Sequence, residues 1–282
     1  MNKLTDTFTL TGGVKIPVIG FGTWQAQNGE IATAAVSAAL KAGYRHIDTA
    51  AIYRNEESVG KAIRESGIAR EEIFVTTKLW NKCRTYELAY EAFERSISKL
   101  GLDYVDLYLI HWPASPAQYE NFEQMNLDTW RAMTELYKAG RIKAIGVSNF
   151  MPHHLAALMK TEVAPMVNQI ELHPGYTQKE TVDFCRANGI AIEAWSPHGS
   201  GRVLSDGRLK KIADGYGKSV AQLCVRWCLQ NGFIPLPKSV TESRIIENAN
   251  VFDFEISDAD MDFINSMPDF AESGFHPDKA DF

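Results

Sequence analysis

The amino-acid sequence predicts a (β/α)8 TIM barrel, an α/β fold in which eight parallel strands close into a barrel surrounded by helices. Three observations support this class. Short apolar runs alternate strictly with stretches of helical periodicity, as in a parallel sheet covered by helices. The alternation gives eight strand–helix units. The 282 residues suit the roughly 250 residues of such a barrel, so we expect one domain over residues 1–282.

The predicted strands are short apolar runs that end in polar residues. They lie at 18–22, 46–47, 73–77, 105–110, 142–147, 166–170, 190–194 and 233–236. The predicted helices follow them, and several end at a glycine, which readily takes the conformation that terminates a helix. These helices lie at 31–42, 58–66, 86–100, 127–139, 153–160, 179–188, 209–216, 220–230, 243–250 and 258–266.

Both ends of the chain fall outside this alternation. Residues 8–17 form two short runs around Thr11-Gly12-Gly13, which is a hairpin pattern, and we expect this hairpin to cap the bottom of the barrel. Residues 267–282 form a C-terminal tail that contains Phe270 and Phe275, and we expect the tail to fold back over the active site. The segment 113–126 is expected to be a short loop.

An open, doubly wound sheet is the competing topology. Such a sheet normally carries a glycine-rich phosphate-binding turn after its first strand. Here Gly20 and Gly22 are followed by Thr23, Trp24 and Gln25, without the third glycine of that turn. The sequence therefore favours the closed barrel.

Composition narrows the classes of partner and compartment. The net charge of −6 argues against a nucleic-acid partner or an anionic membrane surface, since either favours a basic protein. The sequence shows neither a signal peptide nor an apolar run of the roughly 20 residues that a membrane span needs. We expect a cytoplasmic monomer. The cysteines are expected to be reduced core thiols without a metal: Cys83, Cys185, Cys224 and Cys228.

Four ionisable side chains stand at or just after predicted strand ends. Asp48, Lys78 and His111 each follow an apolar run, and Tyr53 lies in the loop after one. Each alone has an ordinary explanation, as a cap, a solvated lysine, a core histidine or a packing tyrosine. Because the carboxyl ends of barrel strands share one mouth, the four side chains are expected to converge there.

The predicted group suits the protonation of an oxygen that gains negative charge. An ammonium beside a phenol favours the phenolate, so Lys78 is expected to lower the pKa of Tyr53 towards working pH. Asp48 is expected to pair with Lys78 and keep it charged. Tyr53 would then act as a general acid, with His111 donating a hydrogen bond to a carbonyl oxygen.

Beyond these residues, the chain resembles the aldo-keto reductase family from about residue 8 to residue 250. The matching stretches include G-F-G-T-W at 20–24, H-I-D-T-A-A-I-Y at 46–53, T-T-K-L-W at 76–80, L-I-H-W-P at 109–113, A-I-G-V-S-N-F at 144–150, N-Q-I-E-L-H-P at 168–174 and L-P-K-S at 236–239. The resemblance implies NADPH bound across the mouth of the barrel and hydride transfer to a carbonyl carbon. It implies Tyr53 as proton donor, tuned by Lys78 and Asp48, with His111 orienting the substrate. Its bacterial 2,5-diketo-D-gluconate reductase-like branch suggests a small aldehyde, dicarbonyl or keto-sugar as substrate.

The resemblance also implies the cofactor contacts. Thr23, Trp24 and Asp48 would lie near the nicotinamide ribose, while Ser148, Asn149 and Gln169 would hold the carboxamide. Trp195 would stack on the nicotinamide ring. The loop that straps the pyrophosphate would contain Ser196, His198 and Ser200, although the family often has leucine in place of His198. The adenosine end would comprise Lys238, Ser239, Val240, Arg244, Glu247 and Asn248.

Cations near the adenosine end favour NADPH over NADH. A 2′-phosphate needs cationic and hydroxyl donors, which Lys238, Ser239 and Arg244 supply. On the substrate side, Trp24, Trp80 and Trp112 adjoin the catalytic strand ends and resemble the family's apolar substrate walls. The resemblance adds His111 to these three as a substrate contact.

Two other functions stay open at this point. One is a Schiff-base lyase that uses Lys78 on the same barrel, although the adenosine-end motif argues against it. The other is a non-enzymatic NADPH-binding subunit, since some family members have structural or channel-associated roles. The intact set of four ionisable residues favours the reductase.

Overall fold

The chain forms a barrel of eight parallel strands in the computed structural model, which describes residues 3–280. Neighbouring strands of the barrel pair in chain order. The barrel closes where the backbone N–H groups of Gly20 and Gly22 donate to the carbonyls of Pro235 and Pro237, both at 3.0 Å. The barrel strands are β3 (Phe21–Gly22), β4 (His46–Asp48), β5 (Phe74–Leu79), β6 (Val105–Ile110), β7 (Ile142–Ser148), β8 (Val167–Glu171), β9 (Ala191–Trp195) and β10 (Ile234–Leu236).

Helices cover the outside of the barrel. Apolar side chains on their inner faces pack with those of the strands into one large core. Gly60 permits a close approach, since a Cβ there would lie 1.9 Å from the carbonyl oxygen of Leu100. The helices are α1 (Glu30–Lys41), α2 (Glu56–Glu65), α3 (Tyr86–Leu100), α4 (Phe122–Lys138), α5 (Pro152–Leu158), α6 (Lys179–Ala187), α7 (Gly207–Gly215), α8 (Val220–Gln230), α9 (Glu242–Ala249) and α10 (Asp258–Asn265).

The N-terminal hairpin lies at the bottom of the barrel. Its strands, β1 (Thr7–Thr9) and β2 (Lys15–Pro17), pair antiparallel. Leu10 and Ile16 of the hairpin are buried in one cluster with Phe74, Leu107 and Val167 at or near the starts of barrel strands. The hairpin therefore closes one end of the barrel, and a functional site has room only at the other.

Two predicted elements differ from the structure by three or more residues at one end. The first barrel strand covers Phe21–Gly22 rather than 18–22, because the N–H of Val18 bonds to the carbonyl of Asp6 beside the hairpin. Helix α4 begins at Phe122, five residues before the predicted start. Its early turns bring Asn126 to the backbone of Ala114, which it bonds through both amide atoms at 2.8 and 3.1 Å. The loop before α4 is therefore shorter than predicted and is pinned to the helix.

Within residues 3–280, no helix combines the length and the apolar character that crossing a membrane requires.

Candidate active site

A cavity of about 930 Å³ opens at the carboxyl ends of the barrel strands. The residues around it come from the loops after most of the strands and from α7, α8 and α9. Predicted site residues that line it are Trp24, Asp48, Tyr53, Trp80, His111, Trp112, Ser148, Asn149, Gln169, Trp195, Ser196, His198, Ser200, Lys238, Ser239, Arg244, Glu247 and Asn248. Side chains predicted at the ends of separate strands thus lie around one cavity.

Three of the four predicted catalytic side chains are in direct contact. Asp48 ends β4, Tyr53 ends the short helical turn that follows it, and Lys78 lies in β5. The Nζ of Lys78 donates to Asp48 Oδ1 at 2.6 Å and to the backbone carbonyl of Thr49 at 3.0 Å. It lies 3.4 Å from Tyr53 Oη. The ammonium is fully buried and is held by three oxygen atoms from the same stretch, residues 48–53.

His111 completes the group directly after β6. Its ring meets the ring of Tyr53 edge-on, with centroids 5.6 Å apart, and meets the ring of Trp80 at 5.5 Å. Burial, together with the charges of Lys78 and Arg84, holds the pKa of His111 well below its usual value. The imidazole is therefore neutral near pH 7, and a neutral imidazole can donate one hydrogen bond to a substrate oxygen.

The electrostatics correct one expectation. Burial raises the pKa of Tyr53 above its ordinary value, and the opposing effect of the Lys78 charge is smaller. The prediction that Lys78 brings the phenol down to working pH is therefore wrong in its net direction, because the cost of burying a phenolate is larger. Burial also acts to lower the pKa of Lys78, but the opposing effects, led by the charge of Asp48, outweigh it and the net shift is upward. The pair is thus a neutral phenol beside a firmly charged ammonium.

These shifts predict a flat pH profile near neutrality. Tyr53 keeps its proton beyond its ordinary pKa of about 10, and His111 loses its proton well below about 6.5. Neither group changes charge between about pH 5.5 and 7.5, so we expect kcat for carbonyl reduction to change less than about twofold there. Steady-state rates at saturating substrate and cofactor measure this. An inflection near pH 6.5 would show instead that His111 titrates normally.

The residues predicted for the carboxamide form a connected group above β7 and β8. Ser148 Oγ donates to the carbonyl of Gln169 at 2.7 Å. Asn149 lies in the left-handed backbone region, with φ of 63°, and its amide donates to the carbonyl of His111 at 3.0 Å. The indole N–H of Trp195 donates to Asn149 Oδ1 at 2.8 Å. These bonds fix the polar wall of the cavity next to His111.

The predicted strap and adenosine residues lie around the far part of the cavity. Ser196 and Ser200 both have positive φ, and their hydroxyls are 2.8 Å apart. The pKa of His198 is lowered to about 4 by burial, so its ring is neutral. Ser239 Oγ accepts from the N–H of Thr241 at 3.0 Å, at the start of α9. Lys238 and Arg244 bring two cations to the cavity wall.

Two predicted cofactor residues are not among those that line the cavity. Thr23 is fully buried, and its hydroxyl donates to the carbonyl of Asp48 at 2.9 Å, which supports the end of β4. Val240 is 48% exposed just before α9. The structure brings the side chain of neither residue into the cavity.

Several cavity residues were not predicted from the sequence. Lys210, Asp214 and Lys218 line the cavity beside α7, and residues 219–221 line it at the start of α8. Locally these resemble solvated charges and an ordinary helix start, so no signal distinguishes them before the barrel is folded. The start of the helix had a local signal, since Ser219 and Gln222 form a capping box, but its position beside the cavity had none.

The tail approaches the cavity through Ser273 and Phe275, which line it. The buried carboxylate of Glu171 accepts from the backbone N–H of Ser273 at 3.0 Å and from its hydroxyl at 2.6 Å. Arg202, in the turn after β9, donates to the carbonyl of Ala271 at 2.8 Å. Phe275 meets Trp112 edge-on, with centroids 6.1 Å apart. The tail thus supplies part of the apolar wall beside Trp112.

One cluster of the described residues has the composition of a metal site. His153 and His154 at the start of α5 lie 2.9 and 3.1 Å from Asp278 Oδ1. However, His154 Nδ1 accepts from the N–H of Met151 at 3.2 Å. In a neutral ring Nε2 then carries the proton and offers no lone pair to a metal. The cluster is better described as a contact between α5 and the tail.

The fold and the gathered side chains define a (β/α)8 barrel with its candidate site at the carboxyl ends of the strands. The chain matches the Aldo/keto reductase family over residues 18–268. It is 52% identical to glyoxal reductase of Bacillus subtilis (strain 168), with 99% of each chain covered. It is 51% identical to an aldo/keto reductase from Brucella melitensis, whose crystal structure covers 94% of this chain and 98% of its own with a TM-score of 0.87.

A further solved structure concerns the cofactor. The aldo-keto reductase of Bombyx mori, solved in complex with NADP, is 35% identical, with a TM-score of 0.87 and coverage of 98% of this chain and 99% of that one. The chain belongs to the aldo/keto reductase family, and it is an NADP-dependent oxidoreductase with NADPH as its cofactor. The predicted family, fold class, enzyme class and cofactor are confirmed.

Proposed function

We propose that the protein reduces small aldehydes or ketones to alcohols with NADPH, using Tyr53 as the proton donor. One observation carries the proposal. The buried Nζ of Lys78 lies within bonding distance of both Asp48 Oδ1 and Tyr53 Oη, and Tyr53 lines the cavity together with His111. A neutral phenol beside a buried ammonium suits the protonation of an alkoxide.

The residues around the cavity fit the cofactor. Lys238 and Arg244 supply the cations that a 2′-phosphate requires, and Ser148, Asn149 and Gln169 offer polar atoms to a carboxamide. NADPH, when bound, supplies the hydride that the carbonyl carbon receives.

The protein's own residues then handle the oxygen. His111 donates a hydrogen bond that orients the carbonyl. The Tyr53 O–H proton passes to the oxygen as negative charge develops there, which leaves a phenolate beside Lys78. The ammonium stabilises this phenolate, and Asp48 keeps the ammonium in place. The product is an alcohol, and Tyr53 regains its proton from solvent.

The substrate side of the cavity supports a small carbonyl compound. Its walls include aromatic side chains, since Trp24, Trp80, Trp112 and Phe275 line the cavity together with Tyr53. An aldehyde, a dicarbonyl or a keto-sugar suits this site, and a relative 52% identical is called glyoxal reductase. We therefore place small dicarbonyls first among the candidates.

The proposal extends to assembly and compartment. The contacts among Asp48, Tyr53, Lys78 and His111 are made within one chain, and we propose a monomer. The four cysteines are free thiols, as a reducing compartment keeps them, and we propose the cytoplasm. The net charge of −6 supports a small-molecule partner rather than a nucleic acid.

The Schiff-base alternative is disfavoured by the state of Lys78. An amine that attacks a carbonyl must be neutral and reachable. The pKa of Lys78 is instead raised, its Nζ is bonded to Asp48 and Thr49, and it is not among the residues that line the cavity. The non-enzymatic alternative is disfavoured by the assembled group of Asp48, Tyr53, Lys78 and His111, and turnover tests it directly.

The test is a panel of small carbonyl compounds with NADPH oxidation followed by absorbance. Glyoxal-like dicarbonyls, simple aldehydes and keto-sugars are compared at equal concentration. We expect reduction of several aldehydes, with dicarbonyls fastest. Tight NADPH binding without turnover of any carbonyl would favour the non-enzymatic role. Borohydride trapping of a substrate adduct on Lys78 would favour the lyase.

The adenosine end gives a separate prediction. Arg244→Ala removes a cation from the part of the cavity proposed for the 2′-phosphate. We expect KM for NADPH to rise about tenfold or more, with KM for NADH nearly unchanged, because only NADPH carries that phosphate. Lys61→Ala, at an exposed position in α2, is the matched control. An equal rise in KM for both cofactors would show that Arg244 does not contact the 2′-phosphate.

A further inference from the structure

A buried polar layer lies inside the barrel beneath the Asp48–Lys78 pair. Glu193 of β9 is fully buried and stands opposite Gln169 of β8 in the strand register. Gln169 Nε2 donates to Glu193 Oε2 at 2.8 Å and to Asp48 Oδ2 at 2.9 Å. A buried carboxyl without a cationic partner in bonding contact is costly, so its presence asks for an explanation.

The state of this carboxyl follows from its surroundings. Burial and the nearby Asp48 charge raise the pKa of Glu193 to about 8, so it carries a proton at neutral pH. Its Oε1 faces His46 Nε2 at 3.6 Å, and that ring is neutral because burial lowers the pKa of His46 to about 3. Glu193 is therefore a neutral hydrogen-bonding group here, and its Oε2 serves as an acceptor.

The two bonds from Gln169 decide which way its amide faces. A side-chain amide has two N–H donors, and here they are directed to Asp48 and to Glu193. Gln169 also lines the cavity. With the nitrogen held towards the barrel interior, the amide oxygen is the atom left for a ligand in the cavity. The opposite orientation would place that oxygen against the Asp48 carboxylate, which repels it.

We propose that Glu193 is a positioning residue: with Asp48 it locks the Gln169 amide so that its Oε1 faces the cofactor's carboxamide NH2. The inference rests on the proposed placement of the nicotinamide. It assigns a role to a side chain that touches neither substrate nor cofactor. Asp48 alone offers one acceptor to one N–H, whereas the second acceptor from Glu193 fixes the amide plane.

The experiment compares NADP+ with its 3-acetylpyridine analogue, in which a methyl group replaces the carboxamide NH2. Dissociation constants are measured by quenching of protein fluorescence, and kcat/KM is measured with both reduced forms. Glu193→Leu removes the acceptor. We expect its preference for the carboxamide cofactor to fall about tenfold, the scale of one hydrogen bond in a desolvated site. Binding of the acetylpyridine analogue should change less than about twofold.

Two further variants make the result decisive. Glu193→Gln has the shape of the protonated carboxyl and keeps an acceptor, so we expect the parent preference within about twofold. Glu193→Thr is a second truncation, with a residue suited to a strand. It replaces Glu193→Leu in the experiment if that variant does not fold. Equal weakening of both cofactors by the truncations would indicate a merely structural role and overturn the proposal. So would a parent without preference, or a glutamine variant that behaves like leucine.

Failure of the proposed function is distinguishable from failure of this inference. The binding ratios need no turnover. A parent that reduces no carbonyl yet shows the expected ratios would retain the role of Glu193 and reject the reductase. A parent that reduces carbonyls with unchanged ratios in the truncated variants would do the reverse.

Discussion

Tyr53→Phe is expected to lower kcat for carbonyl reduction by about a thousandfold, within the range attributed to a positioned general acid. The substitution removes one oxygen atom and leaves the ring, whose edge-on contact with His111 persists. It removes the O–H that would be transferred and leaves the Lys78–Asp48 bond at 2.6 Å intact. Stopped-flow single turnovers with NADPH and a small dicarbonyl measure the effect on the chemical step.

The control separates chemistry from binding. The dissociation constant of NADPH should change less than about twofold, since the phenol oxygen belongs to the substrate side of the proposed site. Tyr90→Phe, at an exposed position in α3, should leave both quantities unchanged. A Tyr53→Phe enzyme that reduces dicarbonyls at the parent rate would remove the tyrosine from the mechanism.

Lys78→Met is expected to have the largest effect on stability. Lys78 is fully buried and Asp48 is 3% exposed, so the substitution leaves a carboxylate buried without its cation. Breaking one side of a buried pair typically costs about 3–5 kcal/mol of unfolding free energy. Activity should fall as well, because no ammonium remains to stabilise the Tyr53 phenolate. Urea denaturation followed by circular dichroism measures the stability loss.

A double-mutant cycle tests whether the cost comes from the orphaned charge. Adding Asp48→Asn to Lys78→Met removes the uncompensated carboxylate, so we expect much of the lost stability to return without activity. Lys61→Met, exposed in α2, should change stability by less than about 0.5 kcal/mol. If the double variant is as unstable as the sum of the singles, the pair is not coupled as its geometry indicates.

The barrel and the meeting of its strand-end side chains were predictable because both depend on short-range sequence patterns. Apolar runs mark strands, and in a barrel every strand delivers its last residues to the same end. Asp48 and Lys78 therefore met as predicted, although 30 residues separate them. The barrel itself brings the strand ends together, so predicting this contact required only the position at which each strand ends.

Other features depend on contacts between distant segments and have no local signature. Glu193 lies in an apolar run, where its position indicates only a residue of a strand. Its partner Gln169 comes from another strand, and the sequence does not indicate that contact. The direction of the Tyr53 pKa depended on how completely the phenol is enclosed. The early start of α4 depended on Asn126 meeting Ala114. Burial and pairing of this kind follow only from the folded chain.

The N-terminal hairpin affects the side from which water reaches the interior of the barrel. Leu10 and Ile16 fill the bottom of the barrel with apolar side chains. His46 and Glu193 above them are fully buried. This plug places apolar side chains between the polar interior and the bottom of the barrel, whereas the cavity at the mouth reaches Asp48 and Gln169. On the proposed mechanism, Tyr53 regains its proton from the same side of the barrel through which the substrate enters. A ligand bound in the mouth would therefore stand between Tyr53 and the solvent that the cavity admits.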